Sequence, residues 1–268
     1  MRAELDKLVA NKIIAPVTEP TEWISALLAV RKSNGDVRIC IDPKPLNKAL
    51  LRSHFLMPTI EDVLPELSKA KCFTCLDARH GFFHLCLDEE SSKLTCFETN
   101  FGRFRWLRLA QGLSVSPELF QRHLLDKLHG LDGVACIADD ILVYGCGDTT
   151  EQAVADHDRK LIALFERCRQ CGLRLNKDKM KLRMTSVAFM GHELTAEGLK
   201  PDPAKIAAIQ DMLPPEDKKA PQRLLGMVTY LGKFVPVLSE KTTVLRTLLE
   251  NATNFVGLMM YTVSHLKN

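Results

Sequence analysis

Polar and apolar residues along the chain alternate between two periods, one suited to strands and the other to helices. LLAVRKSNGDVRICID contains two β-rich runs joined through Ser33-Asn34-Gly35-Asp36, and Asn-Gly suits the positive φ angles of a primed turn, so a hairpin is predicted. TIEDVLPELSKA carries apolar residues at helical spacing behind a candidate N-cap at Thr59, and CFTCLDA then reads as a short strand ending on Asp77. SVSPELFQRHLLDKLHG opens on Ser116 as N-cap, has Pro117 at the first helical position and stops near Gly130. In CIADDILVYG two adjacent aspartates, Asp139 and Asp140, interrupt an apolar run. VACI and ILVY therefore predict a hairpin with both aspartates at its tip, although Asp-Asp lacks the glycine of the commonest tight turns. TTEQAVADHDRKLIALFERCRQCG is a long amphipathic helix pattern closed by Gly172, and KLRMTSVAFMGHELTAEGL predicts another hairpin around Gly191. From about residue 202 short helical patterns are broken by Pro214, Pro215 and Pro221, which predicts a small helical subdomain beyond a boundary near 198–202. The order strand, helix, hairpin, helix, hairpin before it suits an α+β fold, an antiparallel sheet with helices on one face.

Composition narrows this picture. With 268 residues, 46% of them hydrophobic, the chain can bury a sizeable core in one large domain or two moderate ones. The N-terminal MRAELDKLVANKII is a charged amphipathic pattern rather than a signal peptide, and VGLMMYTV near the end is far too short to cross a bilayer. No membrane partner is expected, and an intracellular, cytoplasmic location is, with particle association or the nucleus as variants. Nine cysteines, an odd number scattered through apolar segments, imply free thiols in a reducing compartment. Cys72/Cys75 and Cys168/Cys171 have CxxC spacing but lie too far apart for paired zinc knuckles, and cysteines three apart in a strand face opposite ways. They read as core thiols. His80 and His84 have the spacing of a helical metal pair, yet the glutamate of the protease motif is missing and a glycine intervenes, so they read as structural. The net charge of +3 neither demands nor excludes a nucleic-acid partner. Locally, Arg103, Arg105 and Arg108 interleave with apolar residues in GRFRWLRL, and Lys177, Lys179, Lys181 and Arg183 fall in NKDKMKLRM. Either cluster alone would be an ordinary solvated face.

Asp77 and the Asp139/Asp140 tip each end an apolar strand, so a sheet that pairs those strands gathers three carboxylates. Such like charges need compensation, and Mg²⁺ is the natural partner for hard oxygen ligands. Two such ions, roughly 3.5–4 Å apart, can clamp the attacking and leaving oxygens of an in-line phosphoryl transfer.

These residues also carry a resemblance. FTCLDARHGFFHLCLDEES, RFRWLRLAQGLSVSPELFQ, CIADDILVYG and GLRLNKDKMKLRMTSVAFMGHELTAEGL resemble, in that order and spacing, the successive motifs of reverse transcriptases of gypsy-type long-terminal-repeat retrotransposons. LVANKIIAPVTEPTEWISALLAVRKSNGDVRICIDPKPLNKAL upstream is similar to the fingers of that family, and the likeness runs from about residue 4 to about residue 250. It implies a right-hand polymerase that copies RNA or DNA into DNA. The fingers would take about 1–57 and 88–112, the palm about 58–87 and 113–198, and a helical thumb or connection 199–268 with an atypical end over 254–268. On this resemblance Asp77, Asp139 and Asp140 are the triad for two Mg²⁺ ions, with Mn²⁺ as the substitute. Lys32 and Arg38 hold the incoming deoxynucleoside triphosphate. Phe82 blocks a ribose 2′-OH, and Gln111 packs nucleotide and template. Lys179 protonates the leaving pyrophosphate, and Phe189, Met190 and Gly191 grip the primer end. Template, primer and deoxynucleoside triphosphate are the implied partners; the oligomeric state is left open. Ile137 stands where the family usually has an aromatic residue, and Ala110 replaces a proline common before Gln111. The ribonuclease H region is not matched, which suits a polyprotein fragment or an element-derived gene with an altered end. The competing expectation is an inactive element-derived protein that binds nucleic acid or a partner without turnover.

Overall fold

The computed structural model describes residues 1–31, 35, 37–52, 54–212, 219–234, 238, 240 and 242. The chain divides after Thr185 into two compact units, Met1–Thr185 and Ser186–Asn268. The boundary expected near 198–202 falls inside the second unit, because the segment read as one hairpin is split: Lys181–Met184 pairs in the first unit and Ser186–Phe189 opens the second.

The strands of the first unit are β1 (Ile14–Val17), β2 (Ala26–Arg31), β3 (Val37–Asp42), β4 (Ala70–Asp77), β5 (Phe97–Thr99), β6 (Gly102–Trp106), β7 (Val134–Ile137), β8 (Asp140–Cys146) and β9 (Lys181–Met184). Its helices are α1 (Arg2–Ala10), α2 (Lys44–Ala49), α3 (Ile60–Val63), α4 (Glu89–Leu94), α5 (Ser116–Leu128) and α6 (Thr150–Cys171). Three antiparallel sheets result, in the orders β1-β6-β5, β2-β3 and β7-β8-β4-β9. The expected hairpin over 27–42 is the β2-β3 pair, with Leu28 opposite Cys40 and Val30 opposite Arg38.

Alternation along the central strands separates core from site. Leu76 of β4 with Ile141 and Val143 of β8 face α5 and α6, packing against Phe120, Leu124, Leu161, Leu164 and Cys168. One position along from Leu76 and Ile141, Asp77 and Asp140 must point the other way. α6 starts with a reciprocal capping box between Thr149 and Gln152 and closes on Gly172, as its pattern predicts. The helix expected from Thr59 is shorter. Its capping box with Asp62 forms, but α3 gives way after Val63 to a 3₁₀ turn over Leu64–Leu67, where Pro65 has no N–H to donate. Ser116 begins α5 without capping it, since its hydroxyl donates instead to the Ala110 carbonyl at 2.7 Å.

Trp106, Phe97, Ile14, Ile39 and Ile41 fill a second core between the other two sheets and α1 and α2. The arginines interleaved with Phe104 and Trp106 take the outer face of β6, Arg105 reaching Glu89 at 3.7 Å and Arg103 the Thr18 carbonyl at 3.4 Å. His80 stacks on Phe83 and His84 lies 3.1 Å from the Arg79 carbonyl, both structural roles. All nine cysteines are free.

A closed polar ring ties three elements together. Thr74 Oγ1 accepts the Arg183 N–H at 3.0 Å and lies 2.7 Å from His157 Nε2. His157 Nδ1 is 3.0 Å from Asp158, whose carboxylate pairs with the Arg183 guanidinium. A hydroxyl, an imidazole and a carboxylate in that order resemble a nucleophilic triad. Thr74 and His157 are fully buried, however, so the ring fastens β4, α6 and β9 and reaches no substrate.

The second unit has a sheet of β10 (Ser186–Phe189), β11 (His192–Thr195) and β12 (Gly198–Pro201), followed by α7 (Pro203–Gln210) and α8 (Lys219–Tyr230). Leu224 and Val228 pack with Ile209, Met212 and Leu238. The β10-β11 hairpin turns at Met190-Gly191, as expected. Among the described residues no helix is long and apolar enough to cross a membrane. The atypical segment 254–268 lies outside the described residues.

Candidate active site

The carboxylates are brought together by strand register. Asp140 pairs with Ile137 on one side and with Asp77 on the other, so Asp77 and Asp140 leave neighbouring central strands on the same face. The tip of the hairpin is therefore Ala138-Asp139, with Asp140 already in β8. Ala138 takes φ +56°, a left-handed angle that costs a residue with a Cβ. The Asp139 carbonyl accepts the Ala78 N–H at 3.3 Å, which joins the turn to the end of β4.

Electrostatics register this crowding. Desolvation and then the charge of Asp77 push the Asp139 carboxyl above its ordinary range, opposed by Lys179 and Arg38. Asp139 nevertheless keeps an exposed side chain, so the crowding is that of a groove rather than a core. Asp140 is raised by burial, Asp77 and Asp139, against Lys179 and Lys181. Cys75, on the same face of β4, has its thiol pushed up to about 11 by burial and by Asp140.

Lys179 answers part of the charge, its Nζ standing 2.6 Å from Asp77 Oδ2. Its path there is set by backbone pairing: Asn176 N–H donates to the Asp77 carbonyl at 2.8 Å, and the Asn176 side chain caps the 3₁₀ turn Lys177–Lys179. Among the described residues no three His, Cys, Asp or Glu side chains close into a chelating group. Like charges spread apart, and Asp77 is engaged by Lys179. The donor set is nonetheless all carboxylate, hard oxygen ligands with an unbalanced negative charge, and it fits a divalent cation.

Of the other predicted residues, Arg38 lies on β3 within electrostatic reach of Asp139. Cys40, two residues along the same strand face, donates its thiol to Gln111 Oε1 at 3.3 Å, and Ile41 N–H donates to the Gln111 carbonyl at 2.9 Å. Arg38 and Gln111 thus flank one strand. Gly112 must be glycine: at φ +115° a Cβ would sit 1.9 Å from the Ile41 oxygen. Phe82 is half-buried on the 3₁₀ turn Gly81–His84, edge-on to Phe120 at 5.7 Å. Lys32 lies outside the described residues. In the second unit, Phe189 is buried and only Met190 of the expected grip residues offers an exposed side chain. Met190 and Gly191 both have positive φ, and the Met190 carbonyl accepts from Tyr230 Oη at 3.0 Å.

Two further side chains shape the site. The Asn47 amide donates to the Gly112 carbonyl at 2.9 Å and accepts the Ser114 N–H at 2.8 Å, bracing the loop that carries Gln111. Gln121 does the same for the aspartate turn. Nothing in their spacing marks them, because each acts through backbone groups far away in sequence.

The family described as reverse transcriptase (RNA-dependent DNA polymerase) matches residues 30–194. The chain belongs to the reverse transcriptase family. It is similar to the retrovirus-related Pol polyproteins of the Drosophila melanogaster transposons 412 and opus. The first is 33% identical over 243 residues, 88% of this chain and 19% of that relative; the second is 32% identical, over 87% and 23%. The chain thus spans about a fifth of the length of these relatives. Foamy viral protease-reverse transcriptase in complex with dsDNA is similar in structure, with a TM-score of 0.86 and 24% identity over 99% of this chain and 56% of that one. The same viral protein with an RNA/DNA hybrid gives 0.82 and 23%, over 98% and 36%. These likenesses establish an α+β polymerase fold, and reverse transcriptases in general depend on a divalent metal.

The two residues that depart from the family's usual pattern both sit in well-defined surroundings. Ile137 is buried and pairs with Asp140 across the hairpin, so its side chain lies on the carboxylate face of the sheet, enclosed by the protein. Ala110 lacks proline's rigidity, but its carbonyl is held by Ser116.

Proposed function

We propose that the chain is an RNA-directed DNA polymerase that joins deoxynucleoside triphosphates to a primer 3′-OH on an RNA or DNA template. The observation that carries this reading is the Asp77–Asp140 pair on adjacent central strands, with Asp139 in the next turn and Lys179 against Asp77. In the reaction the primer 3′-oxygen bonds to the α-phosphorus, the bond to pyrophosphate breaks and the hydroxyl proton departs. Two Mg²⁺ ions, or Mn²⁺ in their place, held by Asp77, Asp139 and Asp140 would supply positive charge for the attacking and leaving oxygens.

The chain's own groups do the rest by positioning and charge. Arg38, with Lys32, takes the triphosphate; a guanidinium offers the paired donors that phosphate oxygens accept. Lys179 is the proton source for departing pyrophosphate. Phe82, fixed against Phe120, closes the space a 2′-OH would need, and Gln111 seats nucleotide and template. Phe189, Met190 and Gly191 hold the primer end.

Primer extension on an RNA template with four deoxynucleotides and Mg²⁺, run beside the Asp139→Asn/Asp140→Asn variant, tests the reading. Extension by the parent and a loss on the order of 10³-fold or more in the variant is the expected result. Equal extension by both would remove the aspartates from the mechanism. No extension by either, with primer-template binding retained, would favour a nucleic-acid-binding remnant.

A further inference from the structure

We infer that Cys40 is a positioning residue for the nucleotide seat, its thiol deciding which end of the Gln111 carboxamide faces the substrate. The inference rests on the proposed role of Gln111 in seating the nucleotide.

The β2-β3 hairpin keeps one face in the core and leaves the other open. Leu27, Ile39 and Ile41 pack with Trp106 and Phe97, so Arg38 and Cys40, at the alternate positions of β3, face the other way. Their cross-strand partners on that open face, Val30 and Leu28, are exposed. The strand face that offers the Arg38 guanidinium to a triphosphate therefore offers a thiol two residues further on.

There the thiol meets Gln111. Cys40 Sγ donates to Gln111 Oε1 at 3.3 Å, while the N–H of the next residue, Ile41, donates to the Gln111 carbonyl at 2.9 Å. Main chain and side chain of Gln111 are thus tied to consecutive residues of one strand, which fixes where the carboxamide lies. The thiol fixes which way round it lies. Burial pushes the Cys40 thiol above its ordinary range, opposed by Arg38, so at neutral pH it keeps the proton it donates. A thiol that holds its proton takes the carboxamide oxygen, and the two Nε2 protons turn outward. The reverse orientation would set Nε2 against sulfur, a weak acceptor, and turn an oxygen toward a nucleotide whose sugar and phosphates are themselves rich in oxygen. Cys40 thus acts through Gln111, at the opposite end of the seat from the phosphates that Arg38 takes.

The test is single-turnover extension over a range of deoxynucleotide concentrations by Cys40→Val, which keeps most of the volume and removes the donor, in the parent and in a Gln111→Met background. Loss of one neutral hydrogen bond is expected to raise the apparent Kd for the deoxynucleotide about 5-fold, with the maximal rate constant and the primer-template affinity unchanged. In the Gln111→Met background the same exchange should add nothing, because no carboxamide is left to orient. A loss of packing alone would carry over into that background. Should Cys40→Val fail to fold by circular dichroism, Cys40→Ala takes its place with the same expectations. An unchanged Kd in the folded variant, or the same rise with and without Gln111, overturns the inference. Gln111→Met alone separates this from the reading beneath it: a parent-like Kd there removes Gln111 from the seat, whereas a raised Kd there beside a parent-like Kd for Cys40→Val removes Cys40 only.

Discussion

The two hairpin turns, Ala138-Asp139 in the first unit and Met190-Gly191 in the second, solve the same backbone problem in opposite ways. Both need left-handed residues. At Met190-Gly191 the second position is glycine, and the remaining demand falls on the Met190 carbonyl, held by Tyr230 Oη and by His192 Nδ1 at 2.9 Å. At Ala138-Asp139 there is no glycine, and a side chain from another helix supplies the constraint. The first arrangement is written locally and the second is imposed from a distance. A turn with no glycine needs an external hold, because alanine's Cβ disfavours the left-handed angle that glycine takes without cost.

This comparison can be tested at the far end of β8, where the Asp156 carboxylate accepts the Cys146 N–H at 3.0 Å and pairs with Lys160 at 2.7 Å. Although burial works against it, these contacts and Arg159 hold the Asp156 carboxyl down to about 2. Asp156→Asn is expected to cost about 2 kcal/mol in denaturant unfolding at neutral pH. Because the folded carboxyl titrates below the unfolded one, this stabilisation is complete above about pH 4 and is lost as the pH falls through about 2. The variant and parent curves should therefore converge in acid, while the extension rate at neutral pH stays unchanged. A rate loss in this variant would mean that the turn depends on the whole strand and not on its local hold.

Gly191→Ala should be nearly as costly. The added Cβ would lie 2.3 Å from Lys205 Nζ and 2.5 Å from Tyr230 Oη, at φ +75°. A loss of about 1–3 kcal/mol in thermal unfolding is expected. Ala138→Gly, the reverse exchange, should change stability far less, and comparable losses would erase the distinction between the turns. Smallest is Tyr230→Phe, about 1 kcal/mol, because His192 remains on the Met190 carbonyl after the hydroxyl is gone.

Most of the secondary structure could be read from pattern, since the determinants are local. Thr149, Gln152 and Gly172 bound α6 by themselves, and Asn34-Gly35 marks the first hairpin before any tertiary contact is known. Asp77 at the end of its strand was equally legible. Pattern alone puts the hairpin tip one residue too far along, because nothing in Ile137-Ala138-Asp139-Asp140 reveals that alanine takes the left-handed position; the side chain that holds this backbone, Gln121, is fifteen residues away from Cys136 and seventeen from Ala138. Asn47 is invisible to pattern for the same reason, acting sixty-five residues along the chain at Gly112. The division after Thr185 was hidden by the continuity of the apolar alternation across it, which gives no sign that β9 pairs with β4 while β10 pairs with β11.

The edge position of β7 has one more consequence. Exposed strand edges invite pairing with other chains and, through it, fibril growth. At the end of β7 beside the carboxylates, an incoming strand would find the Cys136 carbonyl and Ala138 N–H already taken by a side chain that cannot be stripped away without unpacking α5. The contact that holds the turn's backbone also occupies the groups through which that end of the edge could pair with another chain.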